Sequence, residues 1–242
     1  MKSFSFVIAL VVLTSGCATQ PPQRPTFKLS DFRSSTLKEL PYDSPPQTIY
    51  RIDDHRFVTL ERYRDCNHGE SYYNDTRMGI RKYLGRGRFE NFQGRIINAD
   101  PTGMNIVLPL AYPPRAFCGN GEKGCVVSFW YSTDGGRTFL VGDYADHSFR
   151  PFDDSKNYTF AVTKEKLYIA EKSAGNDAYV LEYPMISGGD LSRPYPAGVK
   201  GDSFAESKRP QFLRGISTPS GQDRITCDSS LKPTNPDAPL VQ

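Results

Sequence analysis

The sequence predicts an all-β protein of antiparallel meanders, arranged as propeller-blade-like sheets behind an N-terminal tether. Three observations carry that prediction. Short runs such as Thr48-Ile49-Tyr50-Arg51-Ile52 alternate in polarity with the period of a half-buried strand. The 20 glycines and 19 prolines among 242 residues break the chain into turns more often than long helices tolerate. Tyrosine (14) and phenylalanine (15), which suit a pleated surface, are abundant, while leucine is comparatively scarce.

The first element is an export signal. Lys2 provides a positive start, Phe4 to Leu13 form a short apolar run, and Thr14-Ser15-Gly16 puts small side chains before Cys17. The run is too short for a spanning helix, which needs about 20 apolar residues. Leu13-Thr14-Ser15-Gly16-Cys17 resembles the lipobox of bacterial lipoproteins, with Thr14 where leucine is more usual. Residues 1–16 are therefore expected to be removed, and Cys17 to carry the lipid. Ala18 after the cysteine favours, by the same resemblance, the periplasmic face of the outer membrane.

Residues 17–46 read as a tether, since Pro21, Pro22, Pro25, Pro41, Pro45 and Pro46 punctuate a stretch with little apolar periodicity. Leu29 to Leu40 suits one or two helical turns capped by Ser30 or Asp31. The β domain spans 47–230. It opens on a hairpin, Thr48–Ile52 returning through Asp53-Asp54 into His55–Glu61. Further strands are expected at Ser71–Asp75, Gly94–Asn98, Met104–Leu108, Val126–Tyr131, Arg137–Gly142, Tyr158–Val162, Lys166–Ala170 and Ala178–Tyr183. Beyond Ser187 turn residues dominate, with Phe204 and Gln211–Ile216 as apolar anchors. Residues 231–242 read as a flexible tail.

Ser132-Thr133-Asp134-Gly135-Gly136-Arg137-Thr138-Phe139 resembles the Asp-box of sialidases and other β-propellers. Its chemistry is structural: Asp134 accepts hydrogen bonds within the turn, with Ser132, Gly136 and Thr138 completing the motif. Only one copy occurs. The domain has room for four or five blades of about 40 residues, so a propeller and a smaller set of blade-like meanders both remain readings.

With Cys17 acylated, four of the five cysteines remain. An even number in an exported protein points to two disulfides, and four cysteines allow three pairings. Cys118–Cys125 is preferred because the glycine-rich loop between them closes cheaply. Cys66–Cys227 then ties the C-terminal segment to the early strands.

The formal net charge of +3, with both signs interspersed, gives no footprint for nucleic acid. The histidines His55, His68 and His147 have no G-x-S-x-G elbow to serve, and no HExxH, P-loop or dinucleotide motif occurs. The pairs Asp53-Asp54 and Asp153-Asp154 suit turn capping better than acid/base work, because adjacent side chains diverge. Asp143, Asp146, Asp153 and Asp154 read as a solvated acidic loop before they read as a calcium site. No enzyme, cofactor or metal is expected.

The segment from Tyr42 to Glu61, followed by Cys66 and Tyr72-Tyr73-Asn74-Asp75, resembles the type VI secretion lipase-immunity (Tli) lipoproteins of Gram-negative bacteria. That resemblance implies an immunity protein that binds and blocks a phospholipase effector in the periplasm. Its other partner is the membrane, through the lipid anchor. It transfers no contact residue; Tyr72, Tyr73, Arg77, Tyr112 and Arg115 are the aromatic and arginine candidates. The alternative is a glycan-binding or degenerate sialidase-like envelope lipoprotein.

Overall fold

Residues 38–39, 41–116, 118, 123–172, 177–236 and 240–241 are described by the computed structural model. Residues 1–16, expected to be an export signal, Cys17, the helical turns expected at Leu29–Leu40 (all but residues 38–39) and most of the loop between Cys118 and Cys125 lie outside the described residues. β1 (Lys38–Glu39) and β14 (Leu240–Val241) pair with each other.

Twelve strands build the domain between them. β2 (Gln47–Arg51), β3 (Arg56–Asp65), β4 (His68–Asp75) and β5 (Ile80–Arg86) form a four-stranded antiparallel meander. β7 (Ile106–Pro109), β8 (Cys125–Ser132) and β9 (Leu140–Ser148) form a three-stranded one. The third sheet runs β13–β12–β11–β10–β6, from β6 (Arg95–Asn98), β10 (Tyr158–Val162), β11 (Lys166–Lys172), β12 (Ala178–Pro184) and β13 (Asp202–Ala205). Its β6–β10 pair is parallel, because the three-stranded meander intervenes in the chain. Helix is confined, among the described residues, to one α-turn at Pro151–Asp154 and short 3-10 turns.

All three sheets feed one core. Ile49, Val58, Leu60 and Tyr73 from the first meet Val107, Phe129 and Tyr131 from the second and Phe160, Leu167 and Ile169 from the third. Aromatic rings fill much of it edge to face, as where Phe92 meets Phe160 at 5.6 Å and Tyr144 meets Phe160 at 5.1 Å.

The structure differs from the sequence expectations at both ends of the domain and in strands β5, β9 and β13, the last lying where turns anchored by Phe204 are expected. The domain begins before Gln47: the Ser44 hydroxyl accepts from the Tyr63 amide at 2.9 Å and the Pro45 carbonyl from the Tyr63 hydroxyl at 2.8 Å. Prolines lack N–H donors but keep their carbonyls, so a stretch that reads as tether can still be bonded down. The C-terminal segment is likewise held as far as Asn235, since Asp43 accepts from the amides of Thr234 at 2.7 Å and Asn235 at 3.3 Å. Strand β5 was not expected, because its run Arg81-Lys82-Tyr83 hides the period; only Leu84 is buried. β9 starts at Leu140, three residues later than expected, because the turn keeps Arg137 to Phe139.

Residues 218–228 close the exposed edge of β2 without forming a ladder. Ser220 and Thr226 donate their amides to the carbonyls of Ile52 (2.9 Å) and Ile49 (2.8 Å), and Gln222 accepts from the Arg51 amide (2.8 Å). On the far side Ile96 donates to Asp223 at 2.8 Å, so the segment bridges two sheets. Cys227 on this segment is joined to Cys66, and Cys118 to Cys125.

One buried carboxylate organises the β4–β5 end. Glu90 accepts from the amides of Gly87 (2.8 Å), Arg88 (3.1 Å) and Gly69 (3.3 Å) and from the Ser71 hydroxyl (2.9 Å). Burial lifts its pKa above the usual glutamate value despite these bonds. A raised carboxylate contributes stability that is full below its unfolded pKa and lost as pH rises through the folded one. Glu90→Ala strands these buried donors, and is expected to cost about 3 kcal/mol in urea unfolding. The wild type's advantage should widen on going from neutral to mildly acidic pH; an advantage independent of pH would contradict the lifted pKa.

Candidate functional site

The turn from Ser132 to Thr138 is closed by Asp134. Its carboxylate accepts from the Thr138 amide at 2.9 Å, the Thr138 hydroxyl at 2.6 Å and the Ser132 hydroxyl at 2.8 Å. Gly136 has φ +84° and packs against the Tyr73 ring, where a Cβ would sit 2.4 Å from a ring carbon. These four residues fix the turn and offer no reacting group.

The histidines sit apart. His68 contacts Asp65 at 2.7 Å, His147 contacts the Lys123 carbonyl at 2.8 Å, and His55 lies in the β2–β3 turn. Asp53 caps that turn, accepting from the amides of His55 (2.9 Å) and Arg56 (2.8 Å). Asp143 and Asp154 accept from Ser128 and Ser148, while Asp146 lines a cleft of about 390 Å³ with Asp154 and Glu171. Among the described residues, no three His, Cys, Asp or Glu are placed to hold a metal ion.

The five candidate contact residues separate by environment. Tyr73 points into the core and is fully buried, so it is not a contact residue. Tyr112 lies under the Arg88 guanidinium, 4.1 Å from its ring centroid, and Arg115 and Arg77 are exposed in loops. Tyr72, one residue before Tyr73, takes the opposite face of β4. It sits at the centre of the outer face of the four-stranded sheet.

That face is built by register. Tyr72 stands opposite Thr59 of β3 and Tyr83 of β5. The Tyr72 and Tyr83 rings lie 5.3 Å apart, and the Arg81 guanidinium covers Tyr72 at 3.9 Å. Arg81 makes a bidentate pair with Glu61, both bonds 2.8 Å. A register shift in β3 puts Arg62 at φ +45° and turns its guanidinium onto Glu70 and the Tyr72 hydroxyl. Arg86 reaches Glu70 from the other side at 3.0 Å. The Arg81 bond holds the Glu61 carboxyl below the usual glutamate value. Burial pushes Glu70 up, but its bonds to Arg62, Tyr72 and Arg86 outweigh that and hold it low as well. Arg62, Arg81, Arg86 and Tyr83 were missed in the sequence because β5 and the β3 irregularity were not legible there.

A rigid face of stacked tyrosines and clamped arginines has no nucleophile or activated base, and its residue types are those that anchor protein interfaces. The family model described as T6SS Tli3 immunity protein matches residues 42–171. The chain belongs to this family. No curated protein matches it. The Tli3 match contains all of β2 to β5, hence the whole tyrosine–arginine face, together with Cys66, Cys118 and Cys125. Cys227 and the segment that closes the β2 edge lie beyond it.

Proposed function

We propose that this type VI secretion immunity protein is a lipid-anchored inhibitor that binds a phospholipase effector in the periplasm and blocks it stoichiometrically. The Tli3 family match carries the reading. The signal-like N-terminus and the Leu13-to-Cys17 sequence support export and anchoring, with the outer membrane as the site of retention. An inhibitor that intercepts a lipid-degrading enzyme works best where its substrate lies. Inhibition then needs an interface of at least about 1,200 Å² and no turnover.

The test is co-purification with a candidate type VI secretion phospholipase effector, followed by lipid hydrolysis at increasing molar ratio of inhibitor. Hydrolysis is expected to fall linearly and stop near equimolar protein. Absence of a complex at micromolar concentration would overturn the reading, as would glycan hydrolysis by this protein alone.

A further inference from the structure

We infer that the outer face of the β2–β5 sheet is the surface that seizes the effector, and that it takes a carboxylate-rich protein surface. This rests on the proposed immunity function and adds where the partner binds and what chemistry it presents. The charges are layered. The side chains of Glu61 and Glu70 are 14% and 13% exposed, whereas those of Arg81, Arg62 and Arg86 are 48%, 41% and 44% exposed. The carboxylates lie beneath and orient the guanidinium groups, and those of Arg81 and Arg62 are about half exposed to solvent above them. A guanidinium has five N–H donors, so a bidentate bond to one carboxylate leaves donors for another.

The aromatic part gives the face its grip. Tyr83 is 51% exposed and braced against Tyr72, so docking it costs little rotamer freedom. Arg62 is held at positive φ by the β3 irregularity, a conformation that non-glycine residues keep only where the surroundings enforce it. Another arginine-bearing surface compares poorly. The cleft of about 260 Å³ lined by Arg56, Arg77 and Arg137 with Asp53 and Asp75 has no tyrosine, phenylalanine or tryptophan among its lining residues to anchor a partner. A lipid surface also fits less well, since anionic-lipid-binding segments carry clusters of about four to eight Lys or Arg, whereas each arginine here is paired with a glutamate. Here arginine is pre-paired with glutamate in the manner of a protein interface.

The experiment compares the full-length chain with Tyr83→Ala and Arg81→Glu by equilibrium binding to the purified effector. Tyr179→Ala, an equally exposed tyrosine on β12, is the control. Tyr83→Ala is expected to weaken binding about thirtyfold, and Arg81→Glu more; Tyr179→Ala should change nothing. Unchanged thermal unfolding of Tyr83→Ala keeps the result readable if Arg81→Glu fails to fold. Wild-type binding that both variants retain would overturn this inference and leave the immunity reading standing, whereas absence of wild-type binding would overturn both. Vesicles of phosphatidylcholine and phosphatidylglycerol are the remaining arm, run with acyl-free protein. If Arg81→Glu abolished vesicle binding and spared the effector, the face would belong to the membrane and the inference would fall.

Discussion

Replacing Cys66 and Cys227 together by serine is expected to lower the unfolding free energy by about 5 kcal/mol, a large share of the stability of an ordinary domain. The bridge closes a loop with a sequence separation of 161 residues, and in the chain-entropy account the denatured ensemble loses most when the loop is long. The same account gives about 2 kcal/mol for Cys118–Cys125, whose separation is 7. The native side of the balance adds to the difference. The segment that Cys227 pins has no strand ladder of its own; it holds β2 through a handful of bonds and through Ile225 and Leu231 packed on the core. Released, it uncovers the β2 edge and removes Thr218 from the buried Tyr50 hydroxyl. Denaturant unfolding of the two double-serine variants measures both losses. Equal losses, or a larger one for the short bridge, would show that the long loop is not what the bond restrains.

How much of this fold was legible in the sequence follows from where side chains carry the strand period. β3, β8, β11 and β12 bury apolar residues on alternate positions over part of their length, and β2 and β10 carry short apolar runs, so all six are legible within a few residues of their ends. β5 and β13 are not, because an edge strand needs only one or two inward residues: Leu84 in β5 and Phe204 in β13. Residues 218–228 were illegible for a related reason. They are held by backbone and amide bonds to β2 and β6, and such bonds leave no trace in side-chain polarity. Glu90 was equally hidden, since a buried carboxylate looks like a surface one until its donors are in place.

The candidate face shows the same division. Tyr72 and Tyr73 were both plausible contacts, because strand alternation says that neighbours face opposite ways but not which one faces out. The core decides: Tyr73 meets Gly136 and Phe139 of the β8–β9 turn, which leaves Tyr72 outside. Arg81 and Tyr83 become neighbours of Tyr72 only through the β4–β5 pairing, and Arg62 only through the shift in β3. The arginines and tyrosines were visible as residues; their convergence was a property of register.

Under the proposed anchoring, Cys17→Ala is expected to shift the protein from the membrane fraction to the soluble periplasm, or to leave an uncleaved precursor. Protection of cells would then drop out of proportion to any change in inhibition. The prediction separates location from binding, since Cys17 lies at least 30 residues before β2 while the tyrosine–arginine face lies within β3 to β5. A single acyl chain holds a protein to a bilayer only marginally, whereas two or more hold it firmly. The acylated protein should therefore survive a high-salt wash that strips electrostatic binders, and its variant should not be found there at all. Labelling with a radioactive fatty acid reads the modification, and fractionation reads the location. Equal labelling of wild type and variant would remove Cys17 from the proposal. An unlabelled, soluble variant that still inhibits lipid hydrolysis near equimolar ratio in solution, yet fails to protect cells, would assign the lipid to placing the inhibitor beside the effector's substrate rather than to the contact itself.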